Sequence, residues 1–178
     1  MTGQGEYPDA PFNDHALAAV HRIHLRGVVR INDPADNAPF SYQNDKGVWQ
    51  GYDVYFARRI AKEILDGKPK CFHFVPLIGE DCVEQLEQDQ VDIALGFSPG
   101  PKQSTLAEFT LPYRKDGENP IAPAVRKGNG ELHLWLNDVI SRRIAAGFFH
   151  KVYGATLTPV YGNVVSETVV IERGGVRK

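Results

Sequence analysis

Apolar positions along the chain fall into two alternating periods. Leu17, Val20 and Ile23 lie at helical spacing behind Asn13 and Asp14, either of which can cap the helix, and Gly27 supplies a stop. Val28 to Ile31 follows as a short apolar strand ending at Asn32-Asp33-Pro34, a run of turn residues. A loop with Ala38-Pro39-Phe40-Ser41-Tyr42 and Asp45-Lys46-Gly47 leads to Gly51. Asp53 then stands as the N-cap of a helix carrying Val54, Ala57, Ala61 and Ile64, which ends near Asp66-Gly67-Lys68-Pro69. Phe72 to Leu77 predicts a second strand, Asp81 to Gln88 a short helix, and Val91 to Phe97 a third strand. Strands alternating with helices across short connections predict an α/β domain: a three-layer α/β/α sandwich around a mostly parallel sheet. Ligands in such folds sit at the carboxyl ends of strands, which here means the loops after Ile31 and Leu95.

Beyond Phe97 the pattern reads as irregular up to Tyr113. Ile121 to Val125 predicts a strand, and Pro123 assigns it to an edge or a bend. Asn129 is placed to cap a long helix with Leu132, Trp135, Leu136, Val139, Ile140 and Ile144 on one face, broken at Gly147 before Phe148 to Tyr153. Thr168 to Ile171 reads as a further edge strand.

Composition narrows the class. The 178 residues are 42% hydrophobic and 24% charged, enough for one well-packed domain and few for two. A net charge of −2 with no basic run before the Arg173 to Lys178 end leaves no electrostatic footprint for nucleic acid or an anionic membrane. No apolar run reaches the roughly 18 residues of a membrane span. The polar start, residues 1–12, lacks the features of a secretory signal, so compartment is left open between cytoplasm and export with the signal removed. Cys71 and Cys82 are too few for a disulfide framework or a metal cluster, although a single bridge between them is compatible with the sequence.

Two strings invite catalytic readings. Gly96-Phe97-Ser98-Pro99-Gly100 is a literal G-x-S-x-G after a strand, where a hydrolase nucleophile sits, with His133 and His150 as later candidate bases. The residue after such a nucleophile donates its N–H to the oxyanion, and Pro99 has none, a loss of about 10²–10³ in rate. The string therefore reads better as a strand-to-loop turn. His21 and His24 are spaced for a shared metal but have no third ligand nearby, and no phosphate loop is present. No cofactor is called for.

Taken in order, several strings resemble the extracellular solute-binding proteins of the polar amino acid class, family 3, which have the type II periplasmic binding fold. Arg26 to Ile31 is similar to that family's opening strand, Ala38 to Tyr42 to its first binding loop, and Gly47 to Val54 to the start of its first helix. Val91 to Gly96 resembles its third strand, Phe109 to Tyr113 the approach to the first hinge, and Ala124 to Leu132 the return from the second. The resemblance implies a non-enzymatic lobe related to amino-acid uptake or sensing, placed in the periplasm or outside the cell, with an ABC transporter as a membrane partner.

Only seven residues separate Tyr113 from Ile121, where the family inserts a second lobe of at least roughly 50 residues. The expectation is one lobe over residues 1–178, its two parts 13–113 and 121–157 joined by 114–120, with 158–178 as a tail. The resemblance implies ligand contacts at Asn37, Phe40, Gly79, Gly96, Ser98, Gly100, Lys102 and Gln103. Four of these depart from the family. Gln103 stands where amino-acid binders carry the Arg that grips the ligand carboxylate, Gly100 replaces Thr, and Asn37 and Gly79 replace aromatic residues. Gln in place of Arg weakens carboxylate binding about tenfold to a hundredfold. A one-sided shelf also buries less of a ligand than the 70–90% typical of good sites, so tight binding by a lone lobe is not expected. The sequence thus leaves two readings. In one, weak solute binding is restored when two copies face each other across a two-fold axis. In the other, the fold is kept as a module that docks on another protein.

Overall fold

The structure is a computed structural model and describes residues 14–65, 72–77, 82–162 and 166–171. Helix α1 (Asp14–Arg26) stops at Gly27, whose φ of +69° and N–H bond to the Ile23 carbonyl close the last turn. It packs against α5 and α2. Strand β1 (Val29–Pro34) runs three residues beyond Ile31 and carries Asn32 and Asp33 into the interior rather than into a turn. A small antiparallel hairpin, β2 (Tyr42–Gln43) with β3 (Trp49–Gln50), occupies the loop that follows.

Helix α2 (Tyr52–Ile64) is the amphipathic helix expected, with Val54, Ala57, Ala61 and Ile64 all buried. Its N-cap position is Gly51, not Asp53. Asp53 lies inside the first turn with its side chain committed elsewhere.

Strand β4 (Phe72–Leu77) pairs parallel to β1 on one side, and β5 (Ile93–Phe97) pairs parallel to it on the other. Between these strands lies the short helix α3 (Cys82–Glu87). The stretch to Tyr113 is more regular than its sequence pattern indicates. Pro101–Leu106 forms α4, with Pro101 at its first position where a missing N–H costs nothing, and Ala107–Phe109 forms β6. Strand β7 (Arg114–Asp116) turns through Gly117 and Glu118 into β8 (Asn119–Arg126), and Gly117 at φ +62° fits the first position of a two-residue hairpin turn.

The sheet order is β4-β1-β5-β8-β6, with β7 also on β8. β8 is antiparallel to β5, β6 and β7, so five of the six strands point one way and β8 alone points back. β8 is therefore an inner strand and not an edge, and of the two positions that Pro123 suits, an edge or a bend, the structure has the irregular one. The register between β5 and β8 slips between Ala94–Ala124 and Phe97–Ala122, and this irregularity falls where Pro123 has no N–H to give. The Pro123 carbonyl still accepts from Thr110 N.

Both faces of the sheet are covered. Ile93 and Leu95 of β5, with Ile121 and Val125 of β8, point into the larger core with α1, α2, α5 (Gly130–Ala145) and α6 (Phe148–Thr156). Ala94 and Ala124 face the other way, under Val83 and Leu86 of α3. The three layers follow from this alternation. Gly147, at φ +72°, separates α5 from α6 as its position in the sequence indicates. After α7 (Thr158–Tyr161), the tail forms a short helix, α8 (Ser166–Val169), rather than an edge strand; Val169, Val170 and Ile171 are buried beside β7. None of the helices among the described residues is long and apolar enough to cross a membrane.

Candidate functional site

The carboxyl ends of β1 and β5 lie side by side because these strands pair in parallel. The loop after β1 doubles back on itself. Asn37 and Ser41 bridge through Asn37 N to Ser41 O at 2.8 Å, and the Ala38–Pro39 peptide within it is cis. Two bonds fasten the loop to the start of α2, Tyr52 N to Pro39 O at 3.2 Å and Asp53 N to Phe40 O at 2.9 Å. Such closeness requires Gly51, since a Cβ there would lie 2.3 Å from the Phe40 carbonyl oxygen.

Beneath this loop is a buried polar cluster that motif reading passes over. Arg114, the first residue of β7, donates Nε to Asp53 Oδ1 at 2.7 Å and Nη2 to Asp53 Oδ2 at 3.0 Å, a bidentate pair sealed from solvent. The same guanidinium lies 4.0 Å from the centre of the Phe40 ring. Burial opposes the charge on Arg114, but the Asp53 carboxylate outweighs it, and the guanidinium is held charged more firmly than in water. Tyr113 stacks on Phe56, its hydroxyl accepts the Gly96 N–H at 3.1 Å, and its carbonyl accepts from the Tyr52 hydroxyl at 3.3 Å.

Asp33 completes the cluster. Both its oxygens are buried, and as a carboxylate it finds no donor. Burial, and then the neighbouring Asp53 charge, push its carboxyl well above the usual range and favour its protonated form. The native state therefore binds a proton that the unfolded chain has released above about pH 4, and stability falls as pH rises between that value and the folded pKa. Asp33→Asn is expected to abolish this fall and to leave the protein at least as stable at neutral pH, as measured by urea unfolding across pH. A loss above about 2 kcal/mol at pH 7 would mean that Asp33 works as an anion.

Gly96, the next-to-last residue of β5, lies close to these carboxyls. Its φ is +83°, and a Cβ would fall 2.5 Å from Asp33 Oδ1 and 2.8 Å from Pro34 Cδ. Ser98 is exposed in the turn that follows, Gly100 is the N-cap of α4, and Gln103 is half-buried in its first turn. Gly96, Ser98, Gly100 and Gln103 thus share one loop and helix start beside the loop of Asn37 and Phe40. Lys102 is the second residue of α4, and its side chain lies outside what the structure describes, as does Gly79 altogether. Cys71, and with it the bridge to Cys82 that the sequence allows, falls outside the described residues too.

The hydrolase reading finds no base in His133, whose Nε2 lies 2.9 Å from the Phe109 carbonyl and pins α5 to β6. His21 and His24 are exposed on α1, and no group of three metal-ligating side chains occurs among the described residues. Sequence reasoning missed Asp33, Arg114 and Tyr113. Asp33 was hidden in an apparent turn, and Arg114 in an apparent linker.

An α/β lobe with a mostly parallel sheet, two loops at adjacent parallel strand ends and one antiparallel strand returning beside them fits the class of periplasmic-type solute-binding lobes. The chain belongs to the bacterial extracellular solute-binding proteins, family 3, which it matches over residues 29–155. Cyclohexadienyl dehydratase of Pseudomonas aeruginosa is 36% identical over 101 residues, covering 56% of this chain and 36% of that protein. The L-cystine-binding protein TcyJ of Escherichia coli is 23% identical over 138 residues, 76% of this chain and 48% of the relative. The chain thus spans half or less of the length of these relatives. Among solved structures, the cysteine-binding protein from Campylobacter jejuni superposes with a TM-score of 0.80 at 24% identity, covering 87% of this chain and 99% of that one. The arginine-bound form of domain 1 from TmArgBP, the ArgBP of T. maritima, superposes at 0.62 with 24% identity, covering 68% of this chain and 97% of that domain. At these identities the superpositions establish the fold.

Proposed function

We propose that this chain is a non-catalytic, single-lobe solute binder that takes an amino-acid-like solute at the edge formed by Asn37, Phe40, Gly96, Ser98, Gly100 and Gln103. The observation that carries this reading is the juxtaposition of the β1 and β5 loops over a rigid, sealed Asp53–Arg114 pair. A pre-organised shelf loses less entropy on binding than a mobile one. The β7–β8 hairpin fits a lobe whose two hinge strands join directly, with nothing inserted between them. That domain 1 of TmArgBP has been solved with arginine bound supports retention of an amino acid by one lobe alone.

Gln103 in place of a guanidinium makes the grip on a carboxylate weak, and a second copy facing the first would enclose the solute. An extracytoplasmic location and delivery to an ABC transporter accord with the family and belong to the same proposal. The dehydratase relative brings catalysis into view, but the aligned part is 36% of that enzyme, and nothing in the cluster presents an accessible acid or base: Asp33 and Asp53 are both buried.

The test is a native mass spectrum of the purified protein with a panel of amino acids. A species near twice 19.8 kDa, or an adduct of amino-acid mass on the monomer, is expected. A bare monomer that gains no adduct with any of the panel at about 1 mM would reject solute binding. It would favour the second reading, a protein-docking module, which the substitution at Gln103 motivates.

A further inference from the structure

A second concavity lies on the outward face of α2, away from the strand-end loops. It encloses about 340 Å³ and is lined by Tyr55, Arg58, Arg59 and Lys62 of α2 and by Phe148 at the start of α6. That volume lies at the lower end of the range for small-molecule sites. The cavity has two aromatic walls and three cations, and no carboxylate lines it. Glu63, next to Lys62 on α2, is already shared among Arg59 at 3.5 Å, Arg142 at 3.0 Å and Arg143 at 3.4 Å. Asp138 is taken by Arg142 at 2.9 Å. Among the described residues, Arg58, Arg59, Lys62, Arg142 and Arg143 therefore stand with two carboxylates here, on a protein whose net charge is −2.

The cations are not equivalent. Arg58 Nη2 is tied to the Trp49 carbonyl at 2.7 Å, which fixes that guanidinium at the rim. Arg59 is held between Glu63 and the Phe148 ring, with its Cζ 5.9 Å from the ring centre. Lys62 is exposed and has no ion-pair partner among the described residues. Converging like charges around an aromatic floor are relieved by an anion, and the aromatic walls offer a ring-sized apolar surface to whatever carries it. Tyr55, 47% exposed, is an expensive side chain to leave in water.

We propose that the cavity between α2 and Phe148 binds a small aromatic anion, its ring against Tyr55 and Phe148 and its carboxylate between Arg58 and Lys62. This site is separate from the strand-end shelf and does not depend on the function proposed there.

The test is a titration of the ¹⁵N-labelled protein with benzoate, with benzamide and inorganic phosphate as controls. Benzoate is expected to shift the amides around Tyr55 to Lys62 and Phe148 saturably, with a dissociation constant of about 1 mM or below for so small a probe. Benzamide, which keeps the ring and loses the charge, is expected to bind about tenfold more weakly, and so is benzoate to Lys62→Gln or Tyr55→Ala protein. Both side chains are exposed, so each variant keeps the fold. The proposal is overturned by no saturable shift up to about 10 mM, or by phosphate binding as well as benzoate does. Shifts confined to Gly96 through Gln103 overturn it too, since the probe would then be on the other site. Capture by anionic vesicles that benzoate fails to displace would reassign the patch to a membrane surface.

Discussion

Arg114→Met is expected to lose about 3–5 kcal/mol of stability at neutral pH, as measured by urea denaturation, because it strands the Asp53 carboxylate in a dry interior beside a second carboxyl group. A surface pair of the same geometry would be worth well under about 1 kcal/mol. Here the Arg114 side chain is 3% exposed and that of Asp53 is fully buried. The pH dependence should change with it: without the guanidinium that lowers it, the Asp33 carboxyl is pushed further up, so the variant's stability falls more steeply than the wild type's as pH rises. Asp53→Leu combined with Arg114→Met is expected to cost less than Arg114→Met alone, because no buried charge is then left uncompensated. A loss under about 1 kcal/mol for Arg114→Met would show that water reaches the pair. The variant also frees Phe40, whose ring sits 4.0 Å from Arg114 Cζ, so any solute affinity at the shelf should fall with it.

Gly51→Ala is expected to lower the melting temperature by about 10 °C and to detach the 37–41 loop from α2. The residue has φ +121° and ψ 175°, a region open in practice to glycine alone. The atoms a Cβ would meet, Phe40 O at 2.3 Å, Phe40 C at 2.5 Å and Pro39 O at 2.6 Å, all belong to backbone and cannot swing aside. Relief must come from moving the loop, which breaks the Tyr52 N and Asp53 N bonds to it. Strain and lost bonds together come to about 3 kcal/mol or more. Hydrogen exchange at the amides of residues 52 and 53 should rise in step. Gly47→Ala is the control. It has a positive φ of +73° but open space around its Cβ position, so it should cost only about 1 kcal/mol and leave those amides protected. Equal effects at the two positions would mean that the close approach at Gly51 is not what holds the loop.

The local elements of this protein were legible because its helices bury one stripe each and its strands are short apolar runs. α2 and α5 follow directly from apolar spacing, and Gly27 and Gly147 end α1 and α5 as their positions indicate. The alternation of strand and helix was enough for an α/β fold in which the carboxyl ends of β1 and β5 lie side by side. The ordered strings carried the family.

What only the tertiary structure decided is the chemistry under that edge. Asp33, Asp53, Tyr113 and Arg114 are spread along the chain, Asp53 and Arg114 being 61 residues apart, and each has a bland local reading: a turn residue, a helix cap, the end of a hinge approach and a linker cation. Hydrophobic periodicity reports which face is buried but says nothing about a charge buried with its partner, because the partner comes from a distant strand. Pro123 leaves an edge or a bend open, and only the assembled sheet decides: a register slip against β5 accommodates the missing N–H in an inner strand. The tail was misread because Val169, Val170 and Ile171 form a continuous apolar run, and such a run fits a buried strand or a buried helical turn equally until the sheet is assembled around it.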